Sequence, residues 1–198
     1  GYISVNVNLR PDQVLAVSYE FTYNGQNYKV GEFSNDAPIS PDTLSVLFTK
    51  LLKSTTQRID LPTWDLMMKN IYNIGAYQVD PKDFRLDVFY EDPGAGLKRF
   101  LPETDLASIP LVRLFNLDNL NIQGDPQPDG IFDFVQGLTI NTSNGRVMFP
   151  VLEPFGSSLK NRINNPILAE KYSYQQLYDS TLVKAREFPE LNRFTIKG

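Results

Sequence analysis

Four acidic side chains lie close together within residues 116–145, a stretch that contains neither lysine nor arginine. Carboxylates without a nearby cation repel one another unless backbone N–H groups, solvent or a metal ion satisfies them. The stretch therefore predicts either a calcium site or a set of solvated turn residues. The residues concerned are Asp118, Asp125, Asp129 and Asp133.

The segment Asp125–Asp133 resembles a calcium-binding loop because its aspartates surround Gly130. It departs from the EF-hand pattern, in which acids recur at alternate positions and a glutamate ends the loop. Asp, Pro and Gly also form turns without any metal. We therefore expect no cofactor, with calcium bound by the four aspartates as the alternative.

Glu153 is an isolated acid in the apolar segment Phe149–Gly156, an environment that is expected to raise the pKa of its carboxyl group. A carboxyl group of raised pKa can act as the general acid of a glycosidase, here with Asp129 or Asp133 as the second carboxylate. The two groups would have to lie about 5 to 9 Å apart in the folded chain. A glutamate in a turn before Pro154 is the simpler interpretation.

The chain of 198 residues contains no histidine and no cysteine. Histidine is the usual general base near neutral pH, and both residue types are common ligands of zinc. Ser-His-Asp hydrolases, cysteine-dependent enzymes and thiolate zinc sites are therefore excluded within this chain. We expect the chain not to be an enzyme.

The composition is that of a globular protein, with 41% hydrophobic and 21% charged residues and a net charge of −4. The acidic balance argues against nucleic acid as a partner. No apolar stretch approaches the roughly 20 residues of a membrane-spanning helix. The 10 Tyr, 13 Phe and 1 Trp favour a carbohydrate-binding β-sandwich module as an alternative function, although most of the rings occupy positions with the periodicity of buried residues.

Alternating apolar residues predict antiparallel hairpins, and Asn-Gly dipeptides accept the positive φ angles of type I′ turns. The first hairpin joins residues 15–23 to residues 28–30 through Asn24-Gly25. A second hairpin is expected to pair residues 84–90 with residues 97–101, and a third to pair residues 138–141 with residues 146–149. Separate strands are expected over residues 2–8, 111–117 and 193–198.

Apolar residues at helical spacing predict three amphipathic helices. The first follows Ser40-Pro41-Asp42 and ends at about Lys53, and the second begins at Pro62, so that residues 40–75 form a helical insertion. The third covers about residues 173–188, and residues 150–166 are expected to form a loop. The expected fold is α+β: an antiparallel, β-rich and sandwich-like architecture with the helices packed on it.

The chain begins and ends in strand-like sequence without an initiator methionine. We expect residues 1–198 to be a single domain excised from a much larger protein, in which case any targeting signal would belong to that protein.

Several short segments, distributed in order along nearly the whole chain, resemble the SprA/Sov family of outer-membrane translocons, which serve type IX secretion and gliding motility. As an ordered set they are fairly specific. They are Gly1–Ser4, Asp12–Val17, Tyr23–Gly25, Val30–Phe33, Leu61–Asn70, Asn116–Leu120, Asp129–Phe134, Asn144–Arg146 and Phe149–Gly156.

The resemblance implies a very large outer-membrane β-barrel that carries folded cargo proteins, including adhesins, across the membrane. This chain would be a soluble, non-catalytic domain of that protein, on its extracellular or periplasmic side. Its partners would be other type IX secretion components, secreted cargo and the rest of the barrel. The resemblance implies no catalytic residue.

A second interpretation within the family places the hairpin in the barrel wall, because Leu15–Tyr23 is as long as a barrel strand. The returning strand argues against it, since Asn27, Lys29 and Gly31 make one of its faces polar. The predicted amphipathic helices that follow would also need a protein core to pack on. We therefore expect a cap, plug or periplasmic domain.

Overall fold

The computed structural model describes residues 3, 5, 9–36, 46–82 and 84–198. The chain divides into two compact units, Gly1–Met67 and Met68–Gly198. The prediction of one domain stays a prediction, because compactness alone does not establish whether the two units fold independently. Apart from Ile3 and Val5, the predicted strand over residues 2–8 lies outside the described residues, as does the predicted helix start at residues 40–42.

Unit 1 contains the first predicted hairpin. The strands β1 (Leu15–Val17) and β2 (Tyr19–Tyr23) follow each other, and β2 pairs antiparallel with β3 (Gln26–Val30). The turn residues Asn24 and Gly25 have φ angles of 49° and 76°. These positive angles are those that a type I′ turn requires, so the predicted turn chemistry is confirmed.

The prediction of a helix ending at about Lys53 is wrong for the residues that the structure describes. Residues 50–53 form β4 (Lys50–Lys53), which pairs antiparallel with β1. Lys53 also donates from Nζ to the carbonyl oxygen of Gln13, at 2.7 Å. Apolar residues in so short a segment fit either period, and the ladder with a distant strand outweighs helix propensity.

Unit 2 contains two sheets of three strands, all pairs antiparallel, with strand orders β5-β9-β8 and β10-β6-β7. The predicted hairpin over residues 84–101 and the one closed by Asn144-Gly145 are both confirmed in their cores, as is the C-terminal strand. The strands are β5 (Ile71–Asn73), β6 (Asp87–Asp92), β7 (Gly96–Lys98), β8 (Ile140–Asn141), β9 (Arg146–Met148) and β10 (Phe194–Lys197).

The second predicted helix is also wrong, so residues 40–75 do not form a helical insertion where they are described. Pro62–Trp64 make a single 3₁₀ turn, and Ile71–Asn73 belong to β5. Asn70 holds the start of β5, because its Nδ2 donates to the carbonyl oxygen of Phe149 at 2.6 Å. β-branched and aromatic residues such as Ile71 and Tyr72 favour the strand once a partner is present.

The described helices are all short. The C-terminal helix predicted over residues 173–188 forms as two shorter helices, which are separated by Ser180 and Thr181. Ser180 Oγ donates back to the carbonyl oxygen of Gln176, and the Thr181 hydroxyl caps the second piece by accepting from the Lys184 N–H. The helices are α1 (Leu111–Leu114), α2 (Ser157–Lys160), α3 (Pro166–Tyr172), α4 (Gln176–Asp179) and α5 (Leu182–Arg186).

Two further predictions need correction. The strand predicted over residues 111–117 is absent: residues 111–114 form α1 and residues 115–117 follow as a turn and a bend. Leu111, Val112 and Leu114 are all buried, and a short apolar run has no decisive period. Residues 150–166 are not wholly loop, since α2 lies within them and α3 begins at their end. Asn165 caps α3 by accepting from the N–H groups of Ile167 and Leu168, and Pro166 suits the first helical position.

The core of unit 2 lies between its sheets, its helices and its long connections. Phe155 stands at its centre, with ring centroids 4.8 Å from Phe194, 5.0 Å from Phe115 and 5.3 Å from Tyr72. On the face of β6 toward this core, Val88 and Tyr90 are buried. The Phe155 ring meets Phe115 and Tyr72 edge to face and stacks on Phe194, and such ring pairs stabilise the unit beyond simple area burial.

The fold class is α+β with antiparallel sheets, as expected. The sandwich arrangement stays a prediction, because the described strands form only sheets of two and three strands. None of the helices in the described ranges has the length and apolar character needed to cross a membrane.

Candidate functional site

Asp118 is fully buried and its carboxylate is satisfied by backbone groups. Its Oδ1 accepts from the Asp129 N–H and its Oδ2 from the Gly130 N–H, each at 3.0 Å. Two N–H donors at these distances replace the water that an ionised carboxylate loses on burial. Asp118 therefore fixes the turn at residues 129–130, which lies well beyond it in the chain.

The Asp133 carboxylate binds the backbone of an earlier part of the same stretch. Its Oδ2 accepts from the Asn119 N–H at 2.6 Å, and both its oxygens lie 3.2 Å from the Leu120 nitrogen. The Asp118 carboxylate thus binds backbone N–H groups shortly before Asp133, and the Asp133 carboxylate binds backbone N–H groups directly after Asp118. The two side chains together cross-link the two segments. This reciprocal arrangement explains acidic residues in a stretch without basic ones.

The remaining two aspartates have local partners. Asp129 Oδ1 accepts from the N–H of Ile131 at 3.0 Å, as in an Asx turn, and the exposed Asp125 lies 3.4 Å from the Asn121 side-chain nitrogen. Across the described residues, no group of three or more acidic side chains converges as a metal ion would require. The calcium site stays a prediction.

Glu153 lies at the centre of a polar cluster in unit 2. Its Oε1 is 3.2 Å from the Lys69 Nζ, and both side chains are only 17% exposed. Its Oε2 accepts from the Ser157 hydroxyl at 2.7 Å and from the Gln175 Nε2 at 3.1 Å. The carboxylate thereby joins the chain before β5 to the start of α2 and to the residue before α4.

The expectation of a raised pKa for Glu153 is wrong. Burial acts to raise the pKa, but hydrogen bonds from Ser157, Gln175 and Lys69 and the charge of Lys69 together lower the pKa below its usual value. Glu153 is therefore an ionised carboxylate at neutral pH, whereas the general acid of a glycosidase must carry a proton. The interpretation as a turn residue is confirmed, since the Gly156 N–H bonds to the Glu153 carbonyl oxygen at 3.1 Å.

Two tyrosines lie beside this cluster. The hydroxyl oxygens of Tyr72 and Tyr178 are 2.7 Å apart, Tyr72 donates to the Lys69 carbonyl oxygen, and the Phe155 N–H donates to the Tyr178 oxygen. Burial raises the pKa of Tyr178 to about 12 and raises the pKa of Tyr72 further still. Both phenols are therefore protonated at neutral pH and serve to link β5 to α4.

Unit 1 presents an exposed row of aromatic rings, which we call the aromatic face: Tyr19, Phe21 and Tyr23 on β2 with Tyr28 on β3. The cross-strand pair Phe21 and Tyr28 is stacked, with centroids 5.2 Å apart, and Tyr19 lies 6.1 Å from Phe21. All four rings are exposed, from 41% for Tyr28 to 62% for Tyr23. Their sequence periodicity predicts the shared face correctly, but the expectation that they are buried is wrong.

Sequence reasoning did not identify the cluster around Glu153. Lys69 and Glu153 are far apart in the chain, and Ser157 and Gln175 belong to segments read as loop and helix. An isolated acid among apolar residues was the only available signal, and it indicates burial without naming the partner that neutralises the charge.

Comparison with models of known protein families and with curated proteins gives no match for this chain.

Proposed function

We propose that this chain is a non-catalytic domain of an outer-membrane translocon of type IX secretion, and that it works by contact with other proteins. In this role it shapes or seals the transport path and holds a partner or a cargo protein. It lies on the extracellular or periplasmic side of the outer membrane and forms part of a larger protein.

The observation that carries the proposal is the aromatic face. Tyrosine and phenylalanine are enriched at protein interfaces, where their large rings contribute much of the binding energy. Contiguous exposed apolar groups on a folded protein commonly mark an interaction surface. A two-stranded ribbon is also marginally stable alone, so a partner that covers the rings would stabilise the hairpin as well as bind it.

The candidate catalytic groups support the same proposal. Asp129 and Asp133 accept hydrogen bonds from backbone N–H groups, and Glu153 is held by Lys69, Ser157 and Gln175. Each carboxylate forms hydrogen bonds within the fold, and a catalytic role would require those bonds to break. The resemblance of the ordered segments to the SprA/Sov family supplies the cellular setting.

A double substitution on the aromatic face tests this function. Phe21→Ser with Tyr28→Ser, introduced into the full-length protein, should reduce cargo secretion at least about tenfold, because loss of two central rings removes hot-spot contacts. Tyr77→Ser is the matched control, since Tyr77 is 73% exposed and lies in unit 2. Equal secretion by the double variant and the control, at equal protein levels, would refute the proposed contact.

The same exposed rings favour a second candidate function, a carbohydrate-binding module. Rings of this kind can stack on the apolar faces of sugars as well as on protein side chains. Affinity electrophoresis in gels that contain soluble polysaccharides distinguishes the two functions. Retardation that disappears in Phe21→Ala would favour the carbohydrate, whereas unretarded migration in every gel would favour the protein contact.

A further inference from the structure

The sequence contains two Asn-Gly dipeptides, Asn24-Gly25 and Asn144-Gly145, and both lie in hairpin turns. In such a dipeptide the glycine nitrogen can attack the asparagine side-chain carbonyl carbon, because glycine has no Cβ to hinder the approach. The new C–N bond forms a succinimide while the bond to the side-chain nitrogen breaks. Ammonia leaves and carries away the proton of the glycine amide.

Water then completes the modification. It adds to one of the two succinimide carbonyl groups and opens the ring, giving either aspartate or isoaspartate. The net change is the loss of ammonia and the gain of water, so no oxidant or further reactant is needed. Attack requires the asparagine side chain and the next nitrogen to approach closely, so the rate depends on how freely the turn can open.

The turn at Asn24-Gly25 is open to solvent. Both residues are exposed, and no atom lies within 4 Å of the position that a Cβ on Gly25 would occupy. The turn is closed by the terminal pair Tyr23 and Gln26 of a two-stranded ribbon. Terminal pairs of such a ribbon separate at low free energy, which gives the side chain of Asn24 access to the reactive geometry.

The turn at Asn144-Gly145 is enclosed. Gly145 is buried, and the carbonyl oxygen of Ala76 occupies the space that a Cβ on Gly145 would need. The Gly145 carbonyl oxygen also accepts from the Ile74 N–H at 3.0 Å, and the Thr142 carbonyl oxygen accepts from the Val79 N–H at 3.1 Å. Opening this turn means breaking contacts with a neighbouring segment, so the same chemistry should be much slower there.

We propose that Asn24 is a site of spontaneous deamidation and that the fold protects Asn144. Conversion adds a negative charge at the tip of the hairpin. The isoaspartate product also lengthens the backbone by one carbon inside a two-residue turn, which disturbs the register of the ribbon beneath it. Because Tyr23 precedes the turn directly, ageing of the protein would alter one end of the aromatic face.

Peptide mapping by mass spectrometry after incubation of the whole chain at mildly alkaline pH tests this inference. Each conversion raises the peptide mass by about one dalton, and the folded chain should convert Asn24 at least about tenfold faster than Asn144. In urea the two sites should react at rates within about threefold of each other, because the protection at Asn144 is conformational. Equal rates in the folded chain, or a difference that persists in urea, would overturn the assignment.

Discussion

At the scale of single residues, the carboxylates of Asp118, Asp133 and Glu153 link separate segments of unit 2. Glu153 has three side-chain partners, because it receives hydrogen bonds from two neutral side chains and faces the ammonium group of Lys69. Removal of a partly buried partner leaves the opposite charge uncompensated, which costs more than the pair contributes when intact. Glu153 should therefore matter for stability.

We expect Glu153→Gln to lower the free energy of unfolding by about 1–3 kcal/mol at neutral pH. Urea unfolding measures the change. The matched control is Glu170→Gln, because Glu170 pairs with Lys160 but is 72% exposed, and its replacement should change stability by less than about 0.5 kcal/mol. Equal effects of the two substitutions would contradict the structural role of Glu153.

The pH dependence of this difference has a definite sign. Since the pKa of Glu153 is lower in the folded state, its contribution is complete above the usual carboxyl pKa of 4.5 and is lost as the pH falls through the folded value. Wild type and Glu153→Gln should therefore converge in stability in acid. A stability difference that stays constant from neutral to acidic pH would argue against an ionised Glu153.

Calcium offers a separate test of the aspartates. A bound ion would have to draw Asp118 and Asp133 away from their backbone donors, so we expect millimolar calcium to leave the melting temperature unchanged relative to chelator. Thermal melts measured by circular dichroism are sufficient. A reproducible rise that is lost in Asp118→Asn would instead establish a calcium site in this stretch.

At the scale of elements, the sequence predicts what neighbouring residues decide and fails where distant partners decide. The turn at Asn24-Gly25 and the strand that ends the chain are confirmed, because turn chemistry and alternation are local. Lys50–Lys53 and Ile71–Asn73 become strands because each finds a partner far away in the chain. The aspartates could likewise be identified as candidate site residues, because they lie close together in the sequence. The neutralisation of Glu153 by Lys69 could not be predicted, because the two residues are far apart in the chain.

The start of α3 provides a test of a locally encoded element. Asn165→Ala should lower the free energy of unfolding by about 0.5–2 kcal/mol, because two N–H groups at the helix start lose their acceptor. Asn165→Ser should retain most of the stability, since serine is also a favourable capping residue. Chemical denaturation measures both variants, and an alanine variant as stable as wild type would show that the cap contributes nothing.

At the scale of the whole molecule, the two units present different surfaces to a partner. Unit 2 encloses an aromatic core, and its carboxylates Asp118, Asp133 and Glu153 accept hydrogen bonds from groups within the fold. Unit 1 carries its rings outside, on a narrow hairpin. The proposed role as a contact domain therefore depends on unit 1.

Photo-crosslinking in living cells tests this role most directly. A benzophenone amino acid replaces Tyr19 on the aromatic face of the full-length protein, and the same amino acid replaces Tyr77 of unit 2 as the control. We predict that position 19 crosslinks to a cargo protein or a secretion component, and that position 77 does not. Equal labelling at both positions, or no polypeptide adduct at position 19, would contradict the account.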